Sequence, residues 1–510
     1  MNRKTNSLLI KILFLFYAIV IVSCTSPSDE KAEILFKTQC ARCHELPDIN
    51  ALPKKIWKTG VLPEMAALMG LIDNSNDPYK SHSVSEQIAM RQTGIYPNQP
   101  QLSLQDWTLL KDYIIRMAPD SLEAEGTIQN PSELIQFTSK QINIDSTLGS
   151  YITFLKYNQS NNTILLADTS GKLLEYNAME NSIKTILQKS TPITDYFKAD
   201  EIELVTLVGI LHPSEIKKGN IDIHSKNKIE QLPFTLHRPV NTLVKDLNNN
   251  GQKEIVVSEF GHLTGSLSLL YTVTGLNRQK KTLLNQPGTI RTIAKDMNND
   301  GKLDLVTLAS QGRESITILY QQDSLEFNAD PVIKFSPVYG TSWFELLDYD
   351  GDGDDDIITA HGDNADKSFV PKPYHGLRIY INDGENKFEE KYFCPINGAT
   401  RLVAHDFDQD GDIDFGVLST FPDYQKKPEF SFLYLENINS KDFHFKPFTT
   451  KNTTQGKWLL MDTGDFNSDG DLDIVLSSFT YAFNKTPDSL MNYWLKSDVD
   501  IMILDNTTIP

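Results

Sequence analysis

The chain is short of cysteine, of positive charge and of long apolar runs, and each shortage excludes something. Four cysteines in 510 residues are too few for a disulfide framework. Lysine and arginine number 48 against 67 aspartates and glutamates, a formal charge of −19. The basic footprint that nucleic acid demands is therefore missing. The N-terminal apolar stretch from Ile12 to Val22 is eleven residues long, about half of what a membrane-spanning helix needs. No glycine-rich phosphate loop stands out, and no nucleophile sits beside an evident base.

Arg3 and Lys4 precede that apolar stretch, which closes on Ile21-Val22-Ser23-Cys24. Short basic and apolar regions in this order are the layout of an export signal. The ending resembles a bacterial lipoprotein processing box. That resemblance implies a leader over 1–23, a lipidated Cys24 and a polar tether over 24–30; an ordinary cleaved signal beside a chance cysteine is the alternative. A lipidated cysteine would anchor the protein to the cell envelope of a bacterium, at the outer membrane and facing either the periplasm or the outside.

Cys40-Ala41-Arg42-Cys43-His44 follows. In an exported chain, C-x-x-C-H is the attachment site of a c-type haem: Cys40 and Cys43 bond the porphyrin and His44 ligates the iron. A zinc site would need more soft ligands, and only Cys24 and Cys394 remain. A redox dithiol would want a βαβ context that the flanks lack. Cys394, alone in an apolar stretch, is expected to be a buried free thiol.

Residues 31–122 are helical in pattern. Ser28 can cap a first helix with Asp29 and Glu30 in its opening turn, and Ser103 with Asp106 caps a late one. In the late helix Trp107, Leu110, Ile114 and Met117 share a face, and Pro119 stops it. A short haem-bearing helix followed by a late amphipathic one resembles the crossed terminal helices of a small monohaem cytochrome c. A methionine sulfur opposite His44 would raise the reduction potential. Met65 is the favoured sixth ligand because Pro63 can open the helical turn that projects it; Met69, Met90 and His82 are the alternatives.

From residue 130 to 510 the chain repeats itself. Five acidic nonapeptides carry oxygen-bearing side chains at positions one, three, five and nine, with glycine at position six. They are Asp246, Asn248, Asn250 and Glu254; Asp296, Asn298, Asp300 and Asp304; Asp348, Asp350, Asp352 and Asp356; Asp406, Asp408, Asp410 and Asp414; and Asp465, Asn467, Asp469 and Asp473. Their first residues are 50, 52, 58 and 59 apart, a period that signals stacked or radial repeats. Alternate oxygens turned inward around a glycine turn suit Ca²⁺, up to five ions in all. The flanks read as strand, for example Glu254-Ile-Val-Val-Ser258, so these are hairpins and not EF-hands. The four oxygen-bearing side chains of each loop carry −2, −3, −4, −4 and −3, −16 together. Most of the imbalance is thus concentrated where calcium would neutralise it.

The repeat resembles the FG-GAP and VCBS-type repeats of integrin-like propellers, each repeat a four-stranded blade with calcium between its first two strands. Two upstream strand groups, at 151–176 and 203–224, add blades without the acidic loop, which makes seven. Glu133-Leu-Ile-Gln-Phe-Thr138 is expected to complete the last blade and close the ring. The expected architecture is a small all-α cytochrome c-like domain followed by an all-β, seven-bladed propeller.

Second-to-third strand connections should share the face opposite the acidic loops, and three of them are long. His361, Asp363, Asn364, Lys372, Tyr374 and His375 mark one as a candidate site, with an ordinary surface loop as the alternative. These features point to a membrane-anchored cytochrome that passes single electrons to a redox partner protein or membrane electron carrier, an electron carrier more than a catalyst. A propeller dehydrogenase feeding its fused haem, and a surface-binding propeller with a haem module, are the competing expectations.

Overall fold

The computed structural model describes residues 27–123, 128, 130–199, 202–225, 228–274, 277–365, 370–483 and 486–508. The leader and Cys24 lie outside them. Among the described residues no helix is long and apolar enough to cross a membrane.

A helical segment precedes the propeller, as expected. Its longer helices are α1 (Pro27–Leu35), α2 (Leu62–Leu68), α3 (Val84–Thr93) and α4 (Leu104–Met117). Helix α1 starts at Pro27, one residue before the expected cap, because proline's fixed φ suits a first turn whose N–H groups are unpaired anyway. Ser103 caps α4 as expected, accepting from Asp106 N at 3.1 Å. Helix α1, with Phe36 directly after it, packs on α4, where Phe36, Trp107, Leu110 and Ile114 are all buried. Met117, assigned to that face from its spacing, is instead 52% exposed, since the helix ends there and Ala118 turns into the core in its place.

Seven sheets follow, five of them four-stranded with antiparallel strands in sequence order, while the sixth gains a short parallel strand and the seventh takes its fourth strand from upstream of the first blade. The inner strands are Ile152–Asn158, Ile193–Ala199, Pro239–Lys245, Thr289–Lys295, Thr341–Leu347, Ala399–His405 and Trp458–Gly464. Each adjoins the inner strand of the next blade, and the seventh adjoins the first. The ring is closed, with seven blades. In blades 3 to 7 the second strands are buried at every position, because neighbouring blades cover both faces. They therefore read as unbroken apolar runs instead of alternating ones.

Closure differs in detail from expectation. The fourth strand of blade 7 is Phe137–Ile142, paired antiparallel with Ile501–Asn506. Ser132 and Glu133 instead run parallel to Phe448 and Thr449 in blade 6. Leu134 and Phe137 enter one core cluster, so the chain crosses between blades where the strand was expected to begin.

Every inner strand carries a register shift one residue in from its start. These bulges lie at the end of the ring away from the acidic loops. At three of them a hydroxyl reaches the next blade: Thr153 donates to Ile193 O at 2.7 Å, Thr194 to Pro239 O at 2.8 Å and Ser342 to Thr400 O at 3.1 Å.

Candidate functional site

The five acidic loops all join first to second strands and so share one face. At position four Asn249, Asn299, Gly351, Gln409 and Ser468 have φ between 57° and 76°, and at position six the glycines have φ between 83° and 101°. A Cβ on Gly251, Gly301, Gly353 or Gly411 would meet nothing within 4 Å. Glycine is required there by the left-handed backbone and not by crowding.

Position one anchors the turn: Asp246 and Asp296 accept from the glycine N–H at 2.7 and 2.8 Å. Position nine is buried in all five loops, and in blades 4 to 7 it is bonded through both oxygens. Asp304 accepts from Met297 N at 2.9 Å and Gln321 N at 2.7 Å; Asp473 accepts from Phe466 N at 3.0 Å and Asn506 N at 2.8 Å. This carboxylate ties the loop to the third strand, and each oxygen of Asp304, Asp356 and Asp473 keeps a lone pair for a cation, whereas Asp414 Oδ2 also accepts from Tyr434 Oη at 2.7 Å. Oxygens of Asp348, Asp350 and Asp356 lie within 4.8 Å of one another, as do those of Asp406, Asp408 and Asp414.

Position seven was not foreseen as part of these sites. Asp354 and Asp412 each bury an oxygen that has no hydrogen-bond partner among the described residues. Burial, reinforced by the neighbouring aspartates, pushes Asp412 up to about 6 and raises Asp354. Orphaned, mutually repelling carboxylate oxygens fit a divalent cation. The acid recurring at Asp354, Asp412 and Asp471 was the available signal.

In the helical segment, Cys40 ends a π-turn over Phe36–Cys40. Cys40 and Cys43 are unbridged, the first half-buried and the second exposed. Burial pushes the Cys40 thiol up to about 11, the reverse of a reactive dithiol. His44 Nδ1 donates to Glu45 O at 2.8 Å, so Nε2 is the nitrogen with which this ring would bind a metal. Met65 and Met69 pack against the apolar cluster that also takes Cys40. Met90 belongs to a second cluster with Ala67, Tyr79 and Tyr96, and His82 is exposed. Free thiols one turn apart, an oriented imidazole and a thioether on a shared apolar wall suit a haem c.

The helical segment sits on the propeller face opposite the acidic loops. Arg313, in the second-to-third connection of blade 4, donates to Cys43 O at 3.1 Å and Arg42 O at 3.2 Å. Tyr374 Oη donates to Ala51 O at 2.7 Å. Glu86 of α3, 8% exposed, accepts from Ser214 Oγ and Glu215 N at 2.6 Å each. Val338 and Leu263 add apolar contacts.

The connection over 361–375 is part of this junction. His361 is fully buried at a strand end with both ring nitrogens bonded, to Thr341 Oγ1 at 2.9 Å and Thr359 Oγ1 at 2.6 Å. Burial holds it and His375 well below the usual imidazole range. Lys372 is bonded to Asn364 Oδ1 at 2.7 Å. Lys372 thus fixes the described ends of the connection to each other, while Tyr374 reaches across to the helical segment. Arg313 was missed, since one arginine in a short connection carries no pattern. Cys394 is buried as expected, and burial pushes its thiol up to about 12.

Residues 296–359 match the FG-GAP-like repeat family. No curated protein matches the chain. Solved propellers similar to it include the Neurospora crassa Pan2 WD40 domain, at 11% identity and TM-score 0.40, covering 68% of this chain and 95% of that one. The Myceliophteria thermophila Cps50 (Swd1) β-propeller domain matches at 8% and 0.40, covering 66% and 96%. The N-terminal domain of Nup159 matches at 11% and 0.40, covering 74% and 99%. A propeller with an FG-GAP-like repeat fits a binding or docking role.

Proposed function

We propose that the protein is an exported, envelope-anchored c-type cytochrome whose calcium-stabilised propeller is the docking platform of its haem domain. The reading rests on the C-x-x-C-H turn and above all on Arg313, which spends two donors on the carbonyls of Arg42 and Cys43 inside that turn. A haem on Cys40 and Cys43 supplies one-electron chemistry. The chain's own residues orient it: the Glu45 carbonyl holds the His44 ring, and the apolar wall around Trp57, Leu62 and Trp107 excludes water, which favours the less charged, reduced iron. Met65 is the proposed sixth ligand, on a helix whose proline lies in the first turn. The redox partner would be a protein or a membrane carrier reached through the lipid on Cys24.

An optical and redox titration of the full-length protein, made in a host that attaches haem c, tests this. A covalently bound, low-spin haem with a positive potential is expected. Met65→Ala should abolish the near-infrared methionine–iron band while Met69→Ala keeps it. Protein that matures without covalent haem would sink the reading.

A further inference from the structure

Three inner-strand residues occupy equivalent places, each directly after its strand's bulge: Arg291, Trp343 and Arg401 in blades 4, 5 and 6. All three are half-buried. They stand near the end of the central channel that faces the helical segment, two residues from where each inner strand pairs with the last residue of its second strand.

Glu345 organises the group. It accepts the Trp343 indole N–H at 2.8 Å and the two-pronged guanidinium of Arg291, Nη2 at 2.9 Å. The indole ring is thereby fixed, and two guanidinium carbons lie over it, that of Arg291 at 4.3 Å and that of Arg401 at 4.2 Å from the centroid. Arg291 is paired with this carboxylate and has Phe344 O as a further acceptor at 2.8 Å. Arg401 has no such counter-charge. Its Nη1 donates to Ser342 O at 3.0 Å and Thr400 O at 3.3 Å; its Nε and Nη2 have no partner, and no carboxylate reaches it, among the described residues. Asp363 acts on it only at longer range. One carboxylate thus serves two cations around one ring. Burial and the adjacent Arg291 hold the Arg401 pKa down near 10, the mark of a cation lacking its counter-charge. Attraction to an indole face offsets only part of the cost of stripping water from such a charge.

We propose that this end of the channel is a binding site for a small organic carboxylate, held by the free edge of the Arg401 guanidinium that lies over the ring of Trp343. The planar fork of Nε and Nη2 matches a carboxylate's two oxygens, and the shared indole makes Trp343 a reporter.

The test uses the full chain, with succinate and inorganic phosphate as probes at fixed ionic strength. Succinate should raise the melting temperature, titrate calorimetrically to saturation and change tryptophan emission, the last effect being lost in Trp343→Phe. Arg401→Gln should weaken succinate binding about ten- to hundredfold, and Arg401→Lys should restore only part of it. Absence of saturable binding and of thermal stabilisation in the unaltered protein would overturn the proposal without recourse to any variant. Binding unchanged in both Arg401 variants, or phosphate bound more tightly than succinate, would overturn it as well.

Discussion

At the residue scale, the ninth position of the acidic loops in blades 4 to 7 has a structural duty separable from the proposed binding of calcium. Asp304 is fully buried and spends both oxygens on backbone N–H groups of the loop and the third strand. An amide in its place turns one acceptor into a donor facing a donor. Asp304→Asn should therefore cost about 1–3 kcal/mol in urea unfolding whether calcium or a chelator is present. Asp300→Asn, at an exposed position five, should matter only in calcium. Lys457 supplies a pH-dependent contrast. It is fully buried, its Nζ has no hydrogen-bond partner among the described residues, and it lies 5.1 Å from the Phe483 ring centroid. Burial lowers its pKa from 10.5 to about 7. Between those values the unfolded chain holds a proton that the folded one has released, so this group makes stability rise with pH across the window. Below about 7 both states are charged and the whole desolvation cost is felt. Lys457→Met should stabilise the protein at neutral pH and flatten that slope in urea titrations across the window.

At the scale of elements, the strands that could be read in advance are those whose burial leaves a one-dimensional trace. Asp356–His361 and Asp473–Ser478 are covered on both faces and appear as apolar runs behind an acidic loop. The closing strand was misplaced because Leu134 and Phe137 are both core residues, three apart, and a period of two cannot hold both on one face. Partner strand Ile501–Asn506 decides the register, and that information lies far along the chain. The bulges left no trace, being shifts of backbone register that demand no glycine. Thr194 at one bulge bonds the next blade at Pro239 O, 2.8 Å away. Thr194→Val, nearly isosteric, should cost about 1 kcal/mol in equilibrium unfolding; an unchanged midpoint would show that the bulge hydroxyls are incidental.

At the scale of the whole molecule, the number of blades and the sharing of a face by the acidic loops were legible, because period and loop position suffice for both. The seat of the helical segment was not. It depends on single contacts, such as Arg313 to Cys43 O and Glu86 to Ser214, that no periodicity announces. Arg313→Ala should speed amide hydrogen exchange over residues 41–46 while leaving the unfolding of the propeller unchanged; equal exchange would mean that the turn is held from within the helical segment. Chelation should do the opposite, lowering the propeller's melting temperature without altering the helical segment's spectrum.

Closure of the ring by Phe137–Ile142 against Ile501–Asn506 has a consequence for biogenesis. A ribosome delivers the first of these strands long before the second, so six blades can form around a gap while one edge strand waits unpaired. The helical segment, by contrast, has its whole sequence available early and can mature first. Synthesis halted short of the last few residues would leave a protein with an intact N-terminal module and an open, adhesive sheet edge, and a cell making this chain must shield that edge until its final strand arrives.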